Sequence, residues 1–256
     1  MKTIFITGTN TGVGKTVLTG LLLAHLRHRG RKALAIKPFC SGGRGDANLL
    51  RTLQDGELSL EEINPFFFPE PVAPLVAARE HRRLISQEEV LDHIHRIGQR
   101  CELLLIEGAG GLLAPLGENY TALDLIAALN CDVLVAARNQ LGTINHTMLT
   151  VSALRNVLGI GARTPRPRVS IEANQPKHAD EASALLRVVL MNARVTDPSC
   201  ASNAAVLSEL LAPVPLVSIP YLGVRCRAAA AIRSHAARLG RTLGRLLQLA
   251  GKMAVS

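Results

Sequence analysis

Six short apolar runs separated by helical patterns constrain the fold of this chain more than any other feature. The runs are Thr3–Thr7, Ala33–Lys37, Leu103–Glu107, Asp132–Ala137, Arg187–Asn192 and Pro215–Ile219. Their hydrophobicity is continuous rather than alternating, which is typical of strands covered on both faces in a parallel sheet. Helical patterns occupy Lys15–Arg29, Ser86–Arg100, Thr143–Leu158 and Asn203–Leu211. The alternation predicts an α/β fold with a doubly wound, mainly parallel sheet flanked by helices, whose ligands bind at the carboxyl ends of the strands.

Composition excludes several other classes of protein. With 48% hydrophobic and 19% charged residues among 256, the chain can bury a core, so wholesale disorder is excluded. No apolar run reaches the roughly 18–20 residues that a membrane span needs, and the first apolar run is too short for a signal peptide. The five cysteines are scattered without metal-finger spacing, which fits a reducing compartment. We therefore expect a cytoplasmic protein with no membrane partner.

The positive charge of the chain is concentrated near its C-terminus. Lys and Arg number 29 against 20 Asp and Glu, a net charge of +9, and seven basic residues follow Glu209, the last acidic one. Aromatic residues make up only 3% of the chain, too few for a protein that stacks bases on exposed rings. We expect no nucleic-acid partner.

The basic segment itself has a helical pattern. Apolar residues recur at alternating spacings of four and three, at Ile232, Ala236, Leu239, Leu243, Leu246 and Ala250. This predicts a basic, amphipathic C-terminal helix over 225–256, weakened by Gly240 and Gly244, that packs on the fold or on a partner. Residues 1–224 are predicted to form one domain. An insertion at about 159–180 has no strong periodicity and is interpreted as a solvated loop rather than a binding arm.

A glycine-rich segment lies between the first strand and the first helix. It reads Gly8-Thr9-Asn10-Thr11-Gly12-Val13-Gly14-Lys15-Thr16. Glycines let backbone amides converge on phosphate oxygens at a helix amino end, while Lys15 reaches the β- and γ-phosphates and the Thr16 hydroxyl holds Mg²⁺. Five residues separate Gly8 from Gly14, where the usual pattern has four. The context nevertheless predicts a phosphate-binding loop and a P-loop NTPase-type sheet.

Charged residues follow two further strands. Glu107 ends the third strand before Gly108-Ala109-Gly110-Gly111, which is the place for a second Mg²⁺ contact or simply a strand end and turn. Lys37 ends the second strand and is predicted to neutralise charge on a transferring phosphoryl group. Asp46 lies near a predicted helix start and either joins the metal shell or caps the helix.

These motifs together resemble the dethiobiotin synthetase family. The resemblance rests on the glycine-rich loop, whose longer spacing is that family's variant, and on Lys37-Pro38, Ser41-Gly42, Asp46-Ala47, Glu107-Gly108-Ala109-Gly110-Gly111 and Leu141-Gly142-Thr143-Ile144-Asn145-His146. It covers about residues 1–158 and resumes over Val188–Asn192 and Val214–Leu222. The resemblance implies an ATP- and Mg²⁺-dependent ligase of biotin biosynthesis. Such an enzyme converts 7,8-diaminononanoate and CO₂ to dethiobiotin through a carbamate and a carbamic-phosphoric anhydride.

The resemblance also implies roles for individual residues. Lys15 and Lys37 stabilise the carbamate and the transferring phosphoryl group, and Thr11 and Ser41 contact the diamine end of the substrate. Thr16, Asp46 and Glu107 surround Mg²⁺. ATP is bound by Gly12, Val13, Gly14, Lys15, Thr16, Val17, Asp46, Glu107, Gly108, Ala109 and Gly110. The remaining substrate contacts implied are Ala73, Pro74, Gly110, Gly142 and Asn145.

The family pattern further places the adenine base and a subunit interface. Asn192 matches the position that contacts adenine, although a strand-end Asn is also a common turn former, and Pro220, Tyr221 and Leu222 match the segment lining the base. The helix after Gly142 resembles the family's substrate-carboxylate site at a homodimer interface. His146 is expected to be structural, because the family's chemistry needs no histidine base.

Two departures and two rival interpretations remain. Gly12 and Leu75 replace the Glu and His found in some members, which places those diamine contacts in doubt. One rival is a related P-loop ligase acting on another amine or carboxylate. The other is a partitioning-type switch ATPase, which typically has a Lys early in its loop where this chain has Asn10.

Overall fold

Parallel strands form the central sheet of the protein, which a computed structural model describes over residues 2–159, 184–194 and 197–248. The strands, numbered in chain order, are β1 (Lys2–Gly8), β2 (Ala33–Ile36), β3 (Phe39–Ser41), β4 (Phe66–Phe68), β5 (Leu103–Glu107), β6 (Pro115–Gly117), β7 (Tyr120–Thr121), β8 (Asp132–Arg138), β9 (Leu186–Met191) and β10 (Leu216–Ile219). Six of them form one parallel sheet in the order β10-β9-β8-β1-β5-β2. The six predicted strands and their parallel arrangement are confirmed.

Helices cover both faces of this sheet. They are α1 (Lys15–His28), α2 (Gly45–Leu53), α3 (Leu60–Ile63), α4 (Pro74–Glu80), α5 (Gln87–Gly98), α6 (Ala122–Leu129), α7 (Thr143–Leu158), α8 (Cys200–Leu211), α9 (Ala229–Arg238) and α10 (Gly240–Gln248). No helix among the described residues is both long and apolar enough to cross a membrane.

The order of the strands positions the site. β1 lies between β8 and β5, with Ile6 paired to Leu134 on one side and to Glu107 on the other. β2 is the neighbour of β5, so the segments that follow β1, β2 and β5 emerge side by side at one edge of the sheet. Ligands of open α/β sheets bind at this edge.

The segments that follow β2 and β5 contain short strand pairings that the sequence patterns did not predict. β3 pairs with β4 in parallel, and β6 pairs with β7 antiparallel. The buried Asn64 donates hydrogen bonds from Nδ2 to the carbonyl oxygens of Lys37 (3.1 Å) and Pro38 (3.0 Å). These bonds hold the backbone that carries Lys37 into the site.

The basic C-terminal segment forms two helices rather than one. α9 ends at Arg238, and α10 begins at Gly240. Ile232, Ala236, Leu243 and Leu246 are buried, so the predicted apolar stripe faces the domain and packs mainly against α1. The predicted position Ala250 lies outside the described residues. Of the predicted insertion, only Gly159 is described, and it ends α7 in the left-handed conformation.

Candidate functional site

The glycine-rich segment connects β1 to α1 as a tight loop. Gly14 precedes α1 with φ +106°, a backbone conformation that L side chains rarely adopt, and a Cβ there would lie 3.2 Å from Met191. The Lys15 ammonium donates hydrogen bonds to the carbonyl oxygens of Asn10 (2.9 Å) and Gly110 (2.5 Å). The loop after β5 therefore meets the loop after β1 through this lysine.

The Lys15 ammonium is in an environment that weakens its charge. Burial lowers its pKa from 10.5 to about 8, an effect that the Glu107 carboxylate opposes and the Lys37 ammonium reinforces. Phosphate oxygens bound here would stabilise the charged form, because opposite charges at close range favour ionisation. The geometry suits an anionic ligand.

Thr16, Lys37 and Glu107 meet at the carboxyl end of the sheet. Thr16 Oγ1 donates to Glu107 Oε1 at 2.7 Å, and Lys37 Nζ donates to the same oxygen at 2.8 Å. Lys37 Nζ also donates to Asp46 Oδ2. The Glu107 side chain has no exposed surface, so this ion pair is buried.

The charges in this cluster reinforce one another. Burial opposes the charge on Lys37, but the Glu107 and Asp46 carboxylates outweigh burial and hold the lysine's pKa above its ordinary value. Burial likewise opposes the charge on Asp46, and the Lys37 ammonium outweighs it, so the pKa of this carboxyl lies below its ordinary value. At neutral pH both Lys37 and Asp46 are therefore charged.

Asp46 does not cap its helix. Arg44 is the N-cap residue of α2 and makes no side-chain cap hydrogen bond, while Asp46 lies in the first turn with its carboxylate against Lys37. Its second carboxylate oxygen, Oδ1, lies 3.3 Å from the guanidinium of Arg227. The sequence reasoning missed Arg227, because nothing in a basic tail indicates which arginine folds back onto a strand end.

The donors in this cluster fit a magnesium ion. Glu107 Oε2 is buried and has no hydrogen-bond partner in the part of the chain that the structure describes, which leaves one carboxylate oxygen available to a cation. The Thr16 hydroxyl and the Asp46 and Glu107 carboxylates are hard oxygen ligands of the kind Mg²⁺ prefers. Within the described residues no group of three or more His, Cys, Asp or Glu could hold a metal, so an ion here needs further oxygens from phosphates and water.

A cleft of about 790 Å³ opens beside the cluster. Its lining includes many of the predicted site residues: Thr11, Lys37, Ser41, Asp46, Ala73, Pro74, Ala109 and Gly110. Over residues 2–159, 184–194 and 197–248, the buried Ser41 hydroxyl has no hydrogen-bond partner. His146, predicted to be structural, is exposed and also lines the cleft.

Other predicted residues lie outside the lining of this cleft. Gly142 and Asn145 are exposed at the start of α7. Asn192 follows β9, and its backbone N–H donates to Ile219 of β10 at 3.0 Å, which places it next to the segment Pro220–Leu222. The cleft thus brings together residues that the sequence predicts to contact the diamine, and the ends of β9 and β10 form a separate group.

Comparison with known proteins adds independent information. A family model described as an AAA domain matches residues 2–176. An ATP-dependent dethiobiotin synthetase BioD of Bacillus velezensis is 41% identical over 181 residues, which is 67% of this chain and 78% of the relative. The protein of the same name from Anaeromyxobacter dehalogenans is 38% identical over 225 residues, 86% of this chain and 91% of the relative.

A solved structure supports the fold. The MinC:MinD cell division protein complex of Aquifex aeolicus matches with a TM-score of 0.52 at 13% identity, over 100% of this chain and 99% of the matched chain. At this identity the likeness concerns the P-loop NTPase fold alone. The curated relatives are far closer in sequence and agree on one activity, and by their similarity the chain belongs to the ATP-dependent dethiobiotin synthetase family.

Proposed function

We propose that this chain catalyses ATP-dependent dethiobiotin synthesis in biotin biosynthesis, closing the ureido ring of 7,8-diaminononanoate with CO₂ in the cleft beside the phosphate loop. The observation that carries the residue-level proposal is the Lys37 ammonium, held between the Asp46 and Glu107 carboxylates next to Thr16. A cation that two carboxylates hold in place stabilises a short-lived anionic intermediate better than a mobile cation does.

The reaction has three steps. One amine of the substrate adds to CO₂ and loses a proton, which gives a carbamate. The carbamate oxygen attacks the γ-phosphorus of ATP, so that ADP leaves and a carbamic-phosphoric anhydride forms. The second amine then attacks the carbonyl carbon, loses its proton and expels inorganic phosphate as the ring closes.

The phosphate loop holds the triphosphate in this scheme. The amides of residues 12–17 surround the phosphates, and the amino end of α1 adds partial positive charge. Lys15 exchanges its two carbonyl partners for β- and γ-phosphate oxygens. The backbone of Gly108, Ala109 and Gly110 borders the nucleotide, and the contact between Lys15 and Gly110 supports this arrangement.

Mg²⁺ would be held by Thr16, Asp46 and Glu107. When bound, the ion neutralises negative charge on the phosphate oxygens of ATP. The unpartnered Oε2 of Glu107 supports this assignment. Lys37 keeps its positive charge near the carbamate and the phosphoryl group. The chain raises the rate mainly by positioning the reactants and by neutralising their negative charge.

The substrate would lie in the cleft. The buried hydroxyl of Ser41 has no partner among the described residues, which supports a hydrogen bond that it donates to the carbamate or accepts from an amine, and Thr11 also lines the cleft. Ala73 and Pro74 cover the chain of the substrate. Gly142 and Asn145 would receive its carboxylate at the amino end of α7.

A homodimer and a cytoplasmic location complete the proposal. Leu113, Leu141 and Leu149 are exposed by 64%, 78% and 63%, and Leu113 and Leu149 also line the cleft, so an apolar surface continues from the site onto the exterior. A second copy covering this surface would complete the carboxylate end of the site. In analytical ultracentrifugation the Leu149→Glu variant should have a mass closer to that of one chain. The variant Leu84→Glu, at a position elsewhere that is 74% exposed, should keep the mass of the dimer.

All five cysteines are free thiols, which supports the proposed location in a reducing compartment.

We also propose that residues 1–224 form the synthetase domain and 225–256 a separate extension. The packing of α9 on α1 supports a structural role for that extension. Ending the chain after Gly223 tests this role, since a loss of stability would support it, and unchanged stability and activity would refute it.

The assay for the activity is phosphate release from ATP with CO₂ present, with and without 7,8-diaminononanoate. The proposal expects release only with the diamine, and dethiobiotin formed in equal amount. Turnover that ignores the diamine would refute it and would favour a switch ATPase.

A further inference from the structure

Three asparagine side chains, of which Asn139 and Asn203 are buried and Asn192 is half-buried, form a hydrogen-bonded relay at the carboxyl ends of β8 and β9. Asn203 of α8 donates from Nδ2 to Oδ1 of Asn139 at 2.9 Å, and Asn139 donates from Nδ2 to Oδ1 of Asn192 at 2.8 Å. Asn139 and Asn203 are only 6% and 2% exposed. Buried amides of this kind rarely exchange partners, because an unpaired polar group in the interior is costly.

Backbone carbonyls fix the direction of the relay. Asn203 Nδ2 also lies 3.3 Å from the carbonyl oxygen of Gln140, and Asn139 Nδ2 lies 3.2 Å from that of Cys200. A carbonyl oxygen only accepts hydrogen bonds, so each must face an NH₂ group rather than an amide oxygen. Neither Asn139 nor Asn203 can turn over without losing these bonds, and Asn192 must therefore present its Oδ1 to Asn139.

We propose that Asn139 and Asn203 are positioning residues that set nucleotide selectivity by holding the Asn192 carboxamide in a single orientation. This inference rests on the placement of Asn192 at the adenine base, which the resemblance to the dethiobiotin synthetase family implies. Within the described residues the NH₂ group of Asn192 donates no hydrogen bond, and its Oδ1, which accepts one from Asn139, has a second lone pair. The NH₂ group and this lone pair therefore remain for a base.

The chemistry of the two purines explains the selectivity. Adenine presents an acceptor at N7 beside the donor N6–H₂, whereas guanine presents acceptors at both N7 and O6. An amide of fixed orientation pairs its NH₂ with N7 and its oxygen with the amino group of adenine. Guanine would place O6 against the amide oxygen. An amide released from the relay could instead rotate its oxygen away and face both acceptors with its NH₂ group alone, so removal of the relay admits GTP.

The experiment compares ATP and GTP as co-substrates for the intact protein. Removing the amide in Asn139→Ala should lower the ratio of kcat/KM for ATP to that for GTP by about five- to thirty-fold, the effect of one hydrogen bond to an oriented group. The value of kcat at saturating ATP should stay unchanged, because the relay does not touch the reacting atoms. A matched control is Leu211→Ala, which opens a cavity in the same helix about two turns away from Asn203, and it should leave the ratio unchanged.

The other variants separate the inference from its premise. Asn203→Ala leaves Asn139 bonded to the Cys200 carbonyl and should lower the ratio in the same direction by a smaller factor, so it tests the relay even where Asn139→Ala does not fold. If Asn192→Ala lowers the ratio and neither relay variant does, the relay is refuted while Asn192 keeps its place at the base. If Asn192→Ala leaves the ratio unchanged, the premise and the inference both fall.

Equilibrium binding keeps this test independent of ring closure. Non-hydrolysable analogues of ATP and GTP, titrated without the diamine, should rank the four variants in the same order of selectivity as the kinetic ratios do. A protein that binds nucleotides in this order but forms no dethiobiotin would refute the proposed reaction and leave the relay standing.

Discussion

Replacing Lys37 by methionine tests the charge cluster at the centre of the site. The change removes the cation that separates two carboxylates, of which Glu107 is fully buried and Asp46 is 25% exposed. Breaking a buried ion pair by deleting one partner costs about 3–5 kcal/mol, because a buried charge is left unpaired. The partial exposure of Asp46 and the neighbouring Lys15 ammonium reduce this, so we expect Lys37→Met to lower the free energy of unfolding by about 3 kcal/mol.

The loss can be measured by calorimetry and by activity. For a chain of this size about 3 kcal/mol corresponds to a fall in Tm of roughly 6–12 °C. Dethiobiotin formation should fall by at least about 10²–10³-fold, the usual effect of removing one group that stabilises developing charge. The double variant Lys37→Met/Glu107→Gln is the matched control. It removes the unpaired charge, and it should recover most of the stability and none of the activity.

The dependence on pH follows from the direction of the pKa shifts. The pKa of Lys37 is raised in the folded protein, so its contribution is fully present below the ordinary lysine pKa of 10.5 and is lost only at higher pH. The pKa of Asp46 is lowered, so its contribution is present above the ordinary value of 3.8 and is lost as the pH falls through the folded value. The difference in the free energy of unfolding between the wild type and Lys37→Met should be largest near neutral pH and should shrink in acid. A Tm within 1 °C of wild type at pH 7.5 would refute the reasoning.

Other positions give further expected outcomes. Because the pKa of Lys15 is about 8, MgATP should bind with proton uptake between about pH 8 and 9, seen by titration calorimetry in two buffers; proton release would contradict this. Gly14→Ala should lower the free energy of unfolding in urea by about 1–3 kcal/mol because φ is +106°, whereas Gly244→Ala, in a helix with open space, should raise it by about 0.5–1 kcal/mol. Ile232→Ala should destabilise by about 2–4 kcal/mol in the same assay, and the control Val224→Ala, at a position 78% exposed, should not.

The sequence predicted the central sheet well because its strands are continuous apolar runs. Such runs record burial on both faces, and that property is local to each strand. The two-residue strand β7 and the three-residue strand β3 carry no comparable signal, since they are stabilised by a neighbour rather than by their own hydrophobicity. The order of the strands depends on how all of them pair, so no single apolar run predicts it.

The site was predictable in its chemistry and less so in its contacts. The glycine-rich loop and the residues at strand ends carry a local signal, and Lys37, Thr16 and Glu107 do meet. The ion pair between Arg227 and Asp46 joins residues far apart in the chain, and many arginines of the tail could have made it. No sequence pattern indicates a role for Asn139, which follows β8, and only the fold shows its partners Asn192 and Asn203.

The central place of β1 has a consequence for how this chain acquires its site. Thr16 and Glu107 are 91 positions apart, and Lys15 and Gly110 are 95 apart, so their contacts form only after two distant strands have paired. Closing such long loops is slow and entropically costly, and it delays these contacts relative to local helix formation. During synthesis, a nascent chain that ends before β5 has the complete glycine-rich loop but no partner for it. Nucleotide affinity should therefore appear late and abruptly, which makes a fluorescent ATP analogue a reporter of sheet completion during refolding.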